Sequence, residues 1–301
     1  MNNKKSIIKI LISGVLFAIV AGCAAENSNI INSEKLPMFV AVAGIMAEKS
    51  EGIWESSGSN IAAYSADGIK WERTRLPDIA KWREVCYGNG KFIAANNETN
   101  IAAYSTDGIK WKPVKLPSEV NAPCICYGNG KFIAIGNENG KSAYSEDGIN
   151  WLETVVPDVA HWRGVCYGNG KFVAVGTHVR IGGIDKAVYS EDGINWKTTT
   201  MPSKAKWLSV CYGNDKFVAV ASYRGKAGHS VDGIKWFYSE LPDISDGWNG
   251  LCYGNGKFVV VGSTGTGISS DIAAYSTNGL KWTFITMPDK AEWWGVYCGG
   301  N

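Results

Sequence analysis

From residue 37 onward the chain alternates short apolar runs with turn-forming residues, and the pattern returns about every 40 residues. Trp82-Arg83-Glu84-Val85-Cys86-Tyr87 is one run, Phe92-Ile93-Ala94-Ala95 a second and Ile101-Ala102-Ala103-Tyr104-Ser105 a third. Ile109 to Val114 reads as a fourth. Gly88-Asn89-Gly90-Lys91 and Asp107-Gly108 separate them as tight turns, because glycine and asparagine accept positive φ at little cost. Leu116-Pro117 stops the sheet and leads onward. The unit is marked by Tyr64-Ser65-x-Asp67-Gly68-Ile69-Lys70-Trp71, with later copies ending at Trp111, Trp151, Trp196, Trp236 and Trp282.

A unit of this size cannot bury a core alone and must stack on its neighbours. Four short strands per unit predict an all-β fold, a six-bladed β-propeller with four antiparallel strands per blade. The ends of the pattern favour a closed ring over an open solenoid. The chain enters at Phe39-Val40-Ala41-Val42, which copies the second strand, and leaves at Trp293-Trp294-Gly295-Val296-Tyr297-Cys298, which copies the first. The C-terminal strand is therefore expected to complete the first blade, and residues 37–301 to form the propeller.

The N-terminus has a different pattern. Lys4, Lys5 and Lys9 precede an apolar run from Ile10 to Ala21, too short for a permanent helical anchor, which ends in Val20-Ala21-Gly22-Cys23. This order resembles the lipobox of bacterial lipoproteins. The resemblance implies that residues 1–22 are a signal peptide outside the fold and that Cys23 is lipidated. It also implies that residues 23–36 tether an extracytoplasmic domain to a bacterial membrane in the cell envelope. Cleavage removes three lysines and no acids, so the formal charge moves from +2 to −1. With no basic stripe, nothing points to nucleic acid.

The Ser-x-Asp-Gly-x-x-Trp repeat resembles the Asp-box of sialidase-like (BNR-type) bacterial propellers, although it is one residue shorter than the usual form. Tyr167 to Gly176 resembles repeats of bacterial surface and phage-associated propeller proteins. The resemblance spans about residues 37–301 and implies a structural role for the turn residues Asp67, Asp107, Asp147, Asp192, Asp232 and Asn278. Each can accept local backbone hydrogen bonds. One carboxylate per turn is too few for calcium.

The inner strand of each blade opens onto the face that carries the variable loops, where function is expected. Gly44–Asn60, Thr177–Lys186 and Gly262–Asp271 read as the long loops. Trp82, Trp162, Trp207, Trp248 and Trp293 begin five of the inner strands, and Ala122 stands at that position in the remaining one. The indoles either pack between blades or ring the channel mouth and stack on a flat ligand. Arg83, Arg163 and His161 flank them and can supply polar contacts. Strand alternation puts Trp162, Gly164 and Cys166 on one side and Arg163, Val165 and Tyr167 on the other.

A sialidase needs an arginine cluster, an acid/base and an activated nucleophile. Arg83 and Arg163 are equivalent but no third arginine joins them, and Glu84, a central carboxylate, has no evident partner in the sequence. Most cysteines read as small core residues, because equivalent positions in adjacent blades are too far apart to bridge. Neither metal nor cofactor is expected. The sequence-based expectation is a noncatalytic, monomeric binding module for glycan or protein ligands. A glycoside hydrolase or lyase and an envelope scaffold are the alternatives.

Overall fold

The computed structural model describes residues 16–22, 39–50, 53–66, 70–118, 120–136, 140–157, 160–178, 183–222, 225–242, 247–263 and 270–291. They form six antiparallel sheets in chain order, as in a six-bladed β-propeller. The second sheet is representative, with Trp82–Gly88 innermost, then Lys91–Asn96, Ile101–Ser105 and Lys112–Lys115 at the outer edge. The expected fourth strand starts later than Ile109 because the Asp107 turn runs on to Trp111.

The inner strands of successive sheets pack side by side around the centre, from Trp82–Gly88 through Cys124–Gly128, His161–Gly168 and Trp207–Gly213 to Gly247–Gly254. The first hairpin of each blade turns at Asn89-Gly90 and its copies, with φ of 44° and 73° at that pair. Positive φ at both central residues matches the right-handed twist of the flanking strands. The glycine before this turn has a separate reason. A Cβ on Gly88 would lie 2.0 Å from the ring of Tyr127, and the same clash recurs at Gly128, Gly168 and Gly213 with the tyrosine of the following blade. The second to fifth blades thus each seat the next blade's tyrosine directly on their backbone. Asn89, Asn129, Asn169 and Asn214 extend the junction by donating to carbonyls of Glu146, Glu191, Val231 and Thr277 in the next blade.

The Ser-x-Asp-Gly turn is a local cage. Asp107 Oδ1 accepts from the backbone N–H of Ile109 (2.8 Å) and Lys110 (2.7 Å) and from the Ser105 hydroxyl (2.9 Å). Asp147, Asp192 and Asp232 repeat it, and Asn278 does so with an amide oxygen. Asp67 lies outside the described residues. Burial alone would raise these carboxyls. The backbone donors outweigh it and hold Asp107, Asp147, Asp192 and Asp232 below the ordinary aspartate value. Trp111 closes the turn by donating to Gly108 O at 3.2 Å.

Two expectations for the first blade change. Residues Gly44–Asn60 are not simply a loop, because Phe39–Ser50 and Ile53–Ser57 form an antiparallel pair. The innermost place is taken by Leu16–Gly22, which pairs with Phe39–Ile45 in a continuous register. The segment read as lying outside the fold therefore contributes a strand. The expected occupant, 293–298, lies outside the described residues.

Candidate functional site

The tryptophans that open the inner strands are packing residues. Trp162, Trp207 and Trp248 are 0% exposed and Trp82 is 3% exposed, which leaves no indole face for a stacked ligand. Trp162 packs among Cys124, Ile135, Val156 and Ala160 of the preceding blade, and Trp207 among Val175 and Ala187. Three of the four indole N–H groups find a backbone carbonyl, while that of Trp162 is buried without a hydrogen-bond partner among the described residues. Trp82 finds Asp78 O at 3.1 Å, Trp207 finds Ile184 O at 3.1 Å and Trp248 finds Pro242 O at 3.2 Å. Trp293 lies outside the described residues, as does Cys23.

The residue after each of these tryptophans sits in an irregularity that simple alternation misses. Between Trp82 and Glu84, Trp162 and Gly164, Trp207 and Ser209, and Trp248 and Gly250 the register shifts by a β-bulge. The bulge uncouples each tryptophan from the strand below and re-aims the extra residue. Those residues are Arg83, Arg163, Leu208 and Asn249. The third inner strand lacks the bulge and starts only at Cys124, with buried Ala122 where the others have tryptophan.

The position after the bulge points at the next blade. A Cβ on Gly164 would meet Ser209 Cα and Val210 N at 3.1 Å, which explains why small residues prevail there. Ser209 accepts from Leu251 N at 3.3 Å, and Glu84 Oε2 accepts from Ile125 N at 2.8 Å. The carboxylate partner that could not be read from the sequence is thus a backbone amide of the following blade. Glu84 is half-buried in the ring. Burial pushes its carboxyl up to about 7, against the Ile125 N–H and the charge of Arg83, which pull it down. Arg83 is held below its ordinary value by burial, with Glu84 acting in the opposite sense.

Cys124 completes this centre, within the electrostatic reach of Glu84, Arg83 and Arg163. Burial raises the Cys124, Cys126, Cys166 and Cys211 thiols, so they stay protonated and are poor nucleophiles. His161 begins the same inner strand as Arg163 and pairs with Thr177, so His178, the next residue, lies at the same end of the sheet. Both histidines are half-buried, as is Asp185 on the adjoining strand. Arg180 of this loop lies outside the described residues. The second, third and fourth blades therefore bring Arg83, Glu84, Cys124, His161 and Arg163 to one sector of the ring. No group of three or more His, Cys, Asp or Glu among the described residues is arranged to hold a metal ion.

No protein-family model matches the chain, and no curated protein matches it. Among solved structures it is similar to virginiamycin B lyase from Staphylococcus aureus, at 13% identity and a TM-score of 0.69, over 95% of this chain and 94% of that one. A streptogramin B lyase structure matches at 14% identity and a TM-score of 0.60, over 70% of each chain. The protein YCF48 bound to D1 peptide matches at 19% identity and a TM-score of 0.56, over 80% of this chain and 76% of that one. At these identities the likeness establishes the propeller fold. It also corrects the earlier resemblance, because the propeller matched along nearly its whole length is a lyase and not a sialidase-like Asp-box protein. The expectation of a noncatalytic, carbohydrate-binding module is corrected with it, because the three lyase structures matched are of a catalytic protein.

Proposed function

We propose that this protein is a lyase whose reaction takes place at the inner strands of the second to fourth blades. The observation that carries the reading is the near whole-length likeness to an antibiotic lyase. The carboxyl of Glu84, pushed up to about 7, supports the placement of the site. A general base works best when its pKa lies near the working pH, and such shifts concentrate at functional sites.

The reaction we propose breaks a carbon–oxygen bond by elimination. Glu84 takes a proton from a carbon made acidic by a neighbouring carbonyl. The electron pair left behind forms a carbon–carbon double bond as the adjacent carbon–oxygen bond breaks. Arg83 and Arg163 stabilise the negative charge that develops on the carbonyl oxygen, from fixed positions that need no reorganisation. His161 returns a proton to the departing oxygen. A histidine-to-alanine variant of the S. aureus lyase is catalytically inactive and has been solved with quinupristin. Of the three histidines here, His161 is the one on an inner strand. The lipobox-like Val20-Ala21-Gly22-Cys23 supports placing this activity in the cell envelope, on a membrane-anchored domain.

The test is to incubate the folded protein with virginiamycin B and, separately, with uronate-containing oligosaccharides, and to follow the ultraviolet absorbance of the new conjugated double bond. Turnover of one of them, lost on Glu84→Gln, is the expected result. A folded protein that eliminates none of these substrates would overturn the lyase reading.

A further inference from the structure

The two ends of the propeller differ in what they expose. In the second blade Gly88 pairs with Lys91, Phe92 with Ser105 and Tyr104 with Lys112, so the first hairpin and the Ser-x-Asp-Gly turn share one end of the sheet. The asparagine side chains already described tie each of four hairpins to the Ser-x-Asp-Gly turn of the next blade, which makes a continuous turn face. Ile109, Ile149, Val231 and Leu280 are exposed on it, with Leu152 and Phe237 exposed at its rim. At the opposite end of the sheets, the large apolar side chains exposed among the described residues are Ile79 and Val155. The turn cage takes the backbone N–H of Ile109, Ile149 and Leu280 and asks nothing of their side chains.

Lysine accompanies these apolar residues. Lys110, Lys235 and Lys281 directly follow the aliphatic residue in three of the turns and are exposed. A second set, Lys91, Lys131, Lys171, Lys216 and Lys257, follows the first hairpin of the second to sixth blades. The turn aspartates of this face are directed onto backbone donors. Among its described residues lysines outnumber acids even with those aspartates counted.

We propose that the turn face docks on an anionic lipid bilayer, with its apolar side chains in the headgroup layer and its lysines paired with lipid phosphates. Two observations choose a bilayer. The exposed apolar residues come from the second, third, fifth and sixth blades, spread round the ring instead of gathered in one patch, which suits a flat fluid surface. The chain also meets the propeller on this side. Gly22 pairs with Phe39, and Phe39 with Ser65, the first residue of the opening Ser-x-Asp-Gly turn. The described residues that flank the lipobox-like cysteine in sequence therefore both lie at the turn face, the side from which an acyl anchor draws the domain to its membrane. Docked this way, the protein turns the start of its inner strands, with Arg83 and Glu84, away from the bilayer. The inference does not depend on the chemistry assigned to Glu84.

The full chain, expressed in a bacterium that processes lipoproteins, should be reconstituted with phosphatidylcholine vesicles, with and without phosphatidylglycerol, and treated with a water-soluble amine-acetylating reagent. Peptide mass mapping then reads each lysine. Lys110 and Lys281 should react more slowly on the anionic vesicles by about five-fold or more, the equivalent of roughly 1 kcal/mol per lysine at an anionic surface. Lys115 and Lys204, exposed at the opposite end, should react alike on both. A Lys110→Glu, Lys281→Glu double variant should lose the protection at Lys235. Equal acetylation of the two sets, or equal protection without phosphatidylglycerol, would overturn the proposal. Protection in native envelopes but not on pure lipid would assign the face to a protein and overturn it as well. The wild-type footprint carries the result, so a variant that fails to fold leaves the test intact.

Discussion

The second and fifth blades perform the same structural task with different chemistry. In the fifth, the Ser209 hydroxyl accepts from Leu251 N of the next blade, and in the second the Glu84 carboxylate accepts from Ile125 N. The fourth blade does without a side chain there altogether, at Gly164. A hydroxyl or nothing is therefore enough to hold adjacent inner strands together. A carboxylate taken out of water costs free energy that the fold does not require. Beside it the bulge presents Arg83, where the fifth blade presents Leu208. Where the repeat is obeyed, the physics is that of packing and turns. Where the second to fourth blades depart from it, charge accumulates near the centre, and this is the sector assigned to chemistry.

The comparison can be broken from the structural side first. Trp207→Ala removes an indole buried between the fourth and fifth blades and should cost about 3–5 kcal/mol in denaturant unfolding. A loss below about 1 kcal/mol would mean that the inner-strand tryptophans are not core residues. Exchanging the two blades is more discriminating. Ser209→Glu puts a carboxylate beside Leu208 with no arginine at the bulge, and should destabilise by about 1–3 kcal/mol. Its cost should be larger in mildly alkaline than in mildly acidic buffer. An equal cost in both would show that size, not charge, is what this position resists.

Linkage sharpens the same point in the wild-type protein. The folded carboxyl of Glu84 titrates at about 7, above its ordinary value. The folded state then holds a proton that the unfolded chain has lost. Stability contributed by this group is full below the ordinary glutamate value and is lost as pH rises through about 7. Glu84→Gln should flatten that part of the stability profile, and a profile identical to wild type would place the titration elsewhere. The smallest effect belongs to the turns. Asn278 accepts the same backbone donors as its aspartate counterparts, so Asp147→Asn should cost within about 1 kcal/mol at neutral pH. The depressed carboxyl of Asp147 contributes stability above the unfolded aspartate value that is lost as pH falls through the lower folded one. The variant should lose less on acidification, which thermal melts in acid would check.

The sheets were legible because their signals are local. Asn-Gly turns, the Ser-x-Asp-Gly cage and period-two runs each act within a few residues, and their return down the chain implies the ring. The bulge after Trp82, Trp162, Trp207 and Trp248 was not legible, since an extra residue in a register has no composition of its own. Alternation carried past it misplaces the tryptophan relative to Gly164 and Cys166. The indoles drew attention as ligand platforms because a large aromatic at a strand end suits either role, and only burial separates the two. Glu84 stood out as a central carboxylate, but its partner is the Ile125 amide, and backbone groups are invisible to a search for side-chain pairs. The occupant of the first blade's inner place depends on competition between distant segments, which no local pattern decides.

The most direct test of a site set apart from the repeat is Glu84→Ser, which gives the second blade the residue that the fifth already uses. Turnover and melting temperature should be measured on the same preparation. The account predicts that elimination falls by a factor of about 100 to 10,000, the ordinary contribution of a general base, while the melting temperature holds or rises. Retained turnover, or a loss of activity matched by a loss of fold, would contradict it.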